Sequence, residues 1–250
     1  MDHREYIRAI DDADTAVFMV HGINSTPRHF DWLIPYLPEN WSIYNILLDG
    51  HGGSVKDFSN TSMKKWKQQV DGWLRKLSAQ YANILVVGYS MGTLLTMELT
   101  QKYPCIKAML LFNVPLKVFV RPVMAVRVLK FSFGKVNKNN PAELATYNDI
   151  GMKLEPWLWK YLAWIPHYIS LLRLCRQCRK VAPVLNIPCH VLFGKKDELV
   201  SVKSKRYFEN NPYANSFIFE NSGHFYYEPE FKAHALESLG RLIDQINLQL

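Results

Sequence analysis

Ile84-Leu85-Val86-Val87-Gly88-Tyr89-Ser90-Met91-Gly92 is the stretch whose reading decides the fold of this chain. Its four apolar residues, three of them β-branched, predict a buried strand, and the Gly88-x-Ser90-x-Gly92 punctuation predicts a tight turn into the helix-like segment that follows. A serine in such a turn sits in a strained backbone conformation that pushes its hydroxyl out of the sheet, while the glycines let strand and helix approach without a side-chain clash. Ser90 is therefore a candidate nucleophile. A serine hydroxyl alone is a poor nucleophile near neutral pH, so the chain must also supply a base, an acid that orients it, and donors for a developing oxyanion.

Working outward, apolar runs at 16–20, 43–48, 84–87 and 109–112 alternate with helix-like segments, the rhythm of βαβ units around a mostly parallel sheet. The clearest helix is predicted over 61–81, where Met63, Trp66, Val70, Trp73, Leu74 and Leu77 recur at spacings of three and four behind a Thr61/Ser62 cap. Its tryptophans read as core residues. Strands are expected again at 190–193 and 217–219, and Pro229 opens a last helix through Phe231, Ala235, Leu239, Leu242 and Ile246.

Between Phe112 and His190 the rhythm stops. Residues 114–180 hold twelve Lys/Arg and three Asp/Glu, a net charge of +9, against 18 basic and 19 acidic residues, or −1, in the remainder. The same segment carries Trp157, Trp159, Trp164, Tyr161 and Tyr168. This shift in composition marks an inserted helical cap at 114–180 between two parts of one core, 1–113 and 181–250. A length of 250 residues with 48% hydrophobic content supports one sizeable core and argues against disorder. The opening Met1–Glu5 has no apolar run, and no stretch approaches the roughly 18 apolar residues of a membrane span, so a cytoplasmic protein is expected. Cys105, Cys175, Cys178 and Cys189 read as free thiols, with no second pair at zinc-site spacing and so no metal.

Two candidates follow the last two strands, where open α/β sheets place their ligands outside the carboxyl ends. Asp197 lies in Gly194-Lys195-Lys196-Asp197-Glu198-Leu199-Val200 and His224 ends Asn221-Ser222-Gly223-His224. His224 would serve as base and Asp197 as its orienting acid. Glu198 is adjacent and chemically able, but the spacing to Gly194 and Val200 favours Asp197. The Met91 N–H, just after the nucleophile, and the Ile23 N–H, in Val20-His21-Gly22-Ile23-Asn24-Ser25, are the candidate oxyanion donors. Gly22 is expected to let that backbone approach substrate. His21 reads as a brace for this loop, His51 as ordering the turn after its own strand, and Asn24 as shaping the loop.

On these residues, together with Asp49-Gly50-His51-Gly52 and the G-x-x-D-x-x-V run Gly194–Val200, the chain resembles the α/β-hydrolase superfamily, and within it bacterial carboxylesterases and monoacylglycerol lipase-like serine esterases. The resemblance covers nearly the whole chain and implies a doubly wound, mostly parallel sheet with an inserted helical cap. It further implies a cofactor-free serine hydrolase of short- to medium-chain acyl esters or monoacylglycerols, with the cap forming an acyl pocket. The same machinery would suit a thioesterase, an aromatic-ester hydrolase or a proline-type aminopeptidase, although only Glu143, Asp149 and Glu155 could hold a substrate amine in the cap. A non-catalytic ligand-binding protein is the reading from another class. The expected partner is a small-molecule ester; the basic cap reads as solvated helix faces, with docking to an anionic membrane surface or attraction of acidic substrates as the functional alternatives, and nucleic acid is not expected.

Overall fold

Each apolar run becomes a strand of one sheet in the computed structural model, which describes residues 3–248; Met1 and Asp2 of the opening stretch lie outside the described residues. The strands are β1 (Tyr6–Arg8), β2 (Thr15–Val20), β3 (Ser42–Ile46), β4 (Asn83–Tyr89), β5 (Ile106–Phe112), β6 (Cys189–Gly194) and β7 (Ala214–Phe219), in the order β1-β3-β2-β4-β5-β6-β7. Every neighbouring pair is parallel except β1 with β3. β1 is the strand that periodicity does not announce, because it is three residues long and lies at the edge of the sheet, where little apolar burial is required.

Helices cover both faces, which is why the inner strands read as continuous apolar runs rather than alternating ones. The first four helices are α1 (Val55–Ser59), α2 (Met63–Ser78), α3 (Met91–Met97) and α4 (Pro122–Ser132), and α5 (Pro141–Asp149), α6 (Ile165–Val181) and α7 (Pro229–Asn247) follow. Ala16, Phe18 and Val20 of β2 pack with Trp66, Val70 and Leu74 of α2 on one face. Val17 and Met19 pack with Phe231, Leu239 and Leu242 of α7 on the other. Ser62 caps α2 by accepting the Lys65 N–H, Trp66 is fully buried and Trp73 packs against the core.

Between β5 and β6 the chain runs through α4, α5, a 3-10 stretch at Leu158–Trp164 and α6. The buried Leu174, Cys175 and Cys178 seat α6 on the core, and short extended pairings of Val118 with Val200 and Ser54 with Lys153 tie the segment to neighbouring loops. Among the described residues no helix is long and apolar enough to cross a membrane. All four cysteines are free.

Candidate active site

Ser90 joins β4 to α3 at φ 49° and ψ −120°, a conformation that costs an L-residue about 1–3 kcal/mol unless its surroundings over-determine it. The surroundings do so. Its N–H donates to the Phe112 carbonyl at 2.9 Å, and its own carbonyl accepts the Thr93 Oγ1 hydroxyl at 2.6 Å. A Cβ at Gly92 would lie 2.0 Å from the Val20 carbonyl oxygen, so only glycine lets α3 start against the end of β2. A Cβ at Gly22 would meet the Ser90 Cβ at 2.9 Å, so this glycine also makes room for the serine itself.

Asp197 and His224, 27 residues apart in sequence, are brought together by the adjacent carboxyl ends of β6 and β7. The His224 Nδ1–H donates to Asp197 Oδ2 at 2.7 Å, and the other Asp197 oxygen accepts the N–H groups of Leu199 at 2.7 Å and Val200 at 2.6 Å. Burial pulls the His224 pKa down, but the Asp197 charge and hydrogen bond, helped by Glu198 and Asp149, outweigh it and hold the imidazole above its ordinary 6.5. The Tyr89 hydroxyl donates to the His224 carbonyl at 3.1 Å and its ring lies 5.1 Å from the imidazole, which brings the residue before Ser90 against the histidine. Among the described residues the Ser90 hydroxyl and His224 Nε2 make no hydrogen bond.

The Ile23 and Met91 N–H groups are likewise unused among the described residues. Two buried histidines shape the Ile23 turn. His21 accepts the Leu48 N–H at Nε2 (3.0 Å) and donates from Nδ1 to the Gly22 carbonyl (2.8 Å). His51 Nε2 accepts the Asn24 N–H at 3.2 Å, and its Nδ1 faces the Leu48 and Asp49 carbonyls. Burial drives both below their ordinary range, His51 to about 4, so both are neutral braces near pH 7. Asn24, at φ 60°, donates its side-chain amide to Tyr168 Oη of α6 at 2.6 Å.

Several contacts were not legible in sequence. Glu198 Oε2 accepts the His224 backbone N–H at 3.1 Å while its Oε1 pairs with Arg127 of α4 at 2.6 Å. Asn113, at φ 51°, accepts the Gly194 N–H and donates to the His224 carbonyl at 3.2 Å. Its place directly after β5 is the one available signal, since Asn tolerates left-handed backbone. His29 bridges Asp149 of α5 (2.8 Å) and the Tyr227 hydroxyl (3.0 Å) while stacking on Tyr89 at 3.5 Å. Ser90, Asp197 and His224 are all buried, at 6%, 2% and 3% exposed. A cavity of about 610 Å³ is lined by Gly52, Phe131, Tyr147, Ile150 and Met152 and not by Ser90; Gly151, between two of its lining residues, donates its N–H to the Asn24 carbonyl at 2.9 Å. Among the described residues no group of three or more His, Cys, Asp or Glu could hold a metal.

The sequence model of the serine aminopeptidase S33 family matches residues 11–218. Over 99 residues the chain is 30% identical to the pimeloyl-acyl-carrier-protein methyl ester esterase of Neisseria meningitidis serogroup B; the match takes in 39% of this chain and spans 35% of that relative's length. Among solved structures, one reported with the metagenome-derived lipolytic enzymes LipS and LipT superposes with a TM-score of 0.73 at 15% identity, covering 97% of this chain and 98% of the other. The monoacylglycerol lipase of Paleococcus ferrophilus gives a TM-score of 0.66 at 16% identity, covering 98% and 100%. At those identities the likeness establishes the fold.

Proposed function

This chain belongs to the serine aminopeptidase S33 family of α/β-hydrolases, and from that premise we propose that it is a serine carboxylesterase acting on short- to medium-chain acyl esters or monoacylglycerols. The observations that support the reading are the strained Ser90 turn and the buried Asp197–His224 pair, whose histidine carbonyl accepts the hydroxyl of Tyr89, the residue before Ser90. In this mechanism Ser90 Oγ attacks the ester carbonyl carbon as His224 Nε2 takes its proton, and the Ile23 and Met91 N–H groups receive the oxyanion. Collapse breaks the ester C–O bond, the alcohol leaves with the proton from His224, and water repeats the cycle on the acyl-enzyme. Asp197 keeps the imidazole in the tautomer that leaves Nε2 free to accept. No cofactor is required.

In this proposal residues 114–180 form a cap over a core of 1–113 and 181–250, and apolar cap surface holds the acyl chain, with about 25 cal/mol gained per Å² of apolar area buried. The named activities of the methyl ester esterase and the monoacylglycerol lipase support an ester as substrate. A peptide amine is less well served, because Glu143 is engaged by the Asn137 N–H and Glu155 by Lys160, while Asp149 holds His29 through Oδ1 and leaves only its buried Oδ2 unpaired. The four free thiols suit a reducing, cytoplasmic location, and peripheral contact of the basic cap with an anionic membrane belongs to the same proposal. Hydrolysis of p-nitrophenyl esters from acetate to palmitate, beside proline p-nitroanilide and with Ser90→Ala as control, is the test. The proposal expects a maximum at one acyl length that vanishes in the variant; turnover of the anilide alone would replace it with the peptidase reading.

A further inference from the structure

The outward face of α6 is divided along its length. Ile165, Ile169 and Leu172, spaced four and three apart, are 49%, 44% and 43% exposed, while His167, Leu174, Cys175 and Cys178 fill the buried side. A helix that merely covers a core turns polar residues to water. Here only the last two turns do so, with Arg173, Arg176 and Lys180, none of which has a hydrogen bond, ion pair or ring contact among the described residues. The 3-10 stretch leading into α6 extends the apolar half: Trp159 and Leu162 are more than 60% exposed, and the Trp157 and Trp159 rings lean on one another at 5.1 Å in solvent. No Asp or Glu occurs between Glu155 and Asp197.

We propose that this face docks on an anionic lipid surface, with Trp157, Trp159, Leu162, Ile165, Ile169 and Leu172 entering the headgroup and upper acyl region and Arg173, Arg176 and Lys180 lying on lipid phosphates. Charge selects this occupant. A second copy joined through the same face would set one basic segment without Asp or Glu against another, whereas anionic lipid complements the basic half and an interfacial layer suits indole rings. The face also borders the site, because Tyr168 of α6 accepts the side-chain amide of Asn24, next to Ile23. The inference rests on the esterase reading for its purpose: a membrane-borne ester would be presented beside the oxyanion turn.

Co-sedimentation of the full chain with vesicles of phosphatidylcholine alone or mixed with phosphatidylglycerol tests it. Binding is expected only with phosphatidylglycerol, weakening as salt rises. Arg173→Gln/Arg176→Gln is expected to weaken partitioning by about thirtyfold and Leu162→Ser/Ile169→Ser by at least about tenfold. Both variants, altered only at exposed positions, are expected to keep the circular dichroism and soluble-ester turnover of the parent. Absence of vesicle binding, equal binding to uncharged vesicles, or unchanged binding by either variant overturns the proposal, as does a concentration-dependent dimer abolished by Leu162→Ser/Ile169→Ser. Soluble-ester hydrolysis without vesicle binding removes the docking alone; vesicle binding without any ester hydrolysis removes the esterase reading and leaves the docking in place.

Discussion

Glu198 holds His224 by its main chain rather than by its ring: Oε2 accepts the His224 backbone N–H at 3.1 Å. The adjacent Asp197 takes the ring instead, so two neighbouring carboxylates divide the work of placing one histidine. Asp197→Asn is expected to lower kcat by about four orders of magnitude, because it removes the acceptor that fixes the tautomer. Glu198→Ala is expected to lower kcat by only about tenfold while costing roughly 3–5 kcal/mol of stability, because it strands the buried Arg127 guanidinium. Steady-state kinetics beside urea unfolding separate the two, and an equal kcat loss at Glu198 alone would exchange their roles.

The acid limb of kcat/KM should report His224. Its pKa is raised in the folded protein, so the active, neutral imidazole is reached only above pH 6.5. Activity is therefore expected to rise with pH through a midpoint above 6.5. In Asp197→Asn the residual activity should show that midpoint shifted downward, since burial then acts with less opposition.

His51 makes an opposite, thermodynamic prediction. Its folded pKa is depressed to about 4 by burial, so it stays neutral in the fold while the unfolded chain takes up a proton below about 6.5. Stability is thus greatest above pH 6.5, falls as pH drops toward 4, and loses roughly 3 kcal/mol in that window. Thermal melts of the parent and His51→Gln across the range should differ in slope, the variant being less stable at pH 7 and less sensitive to acid.

Two glycines on helices have opposite tolerances. Gly92→Ala drives a methyl group into the Val20 carbonyl and is expected to cost about 3 kcal/mol or more. Gly240→Ala, in α7 with nothing within 4 Å of the added carbon, is expected to stabilise by about 0.5–1 kcal/mol. Chemical denaturation of both variants checks the pair.

What could be read in sequence was what lies next to an apolar run. Ser90, Asp197 and His224 each follow a strand within a few residues, so periodicity places them at one end of the sheet. Contacts that depend on how distant loops close were beyond that reasoning. His29 and Asp149 are 120 residues apart, Arg127 and Glu198 are 71 apart, and neither pair has a local pattern that announces its partner. The basic, aromatic character of 114–180 was visible as composition, but the division of α6 into apolar and basic halves emerges only once its buried side is known.

The central claim is that Ser90 is the nucleophile, and mass spectrometry after treatment of the folded protein with a fluorophosphonate tests it most directly. The account predicts a single adduct on the peptide containing Ser90, absent in Ser90→Ala and formed far more slowly in His224→Ala. A folded protein that takes no label, or takes it on another residue, would contradict it.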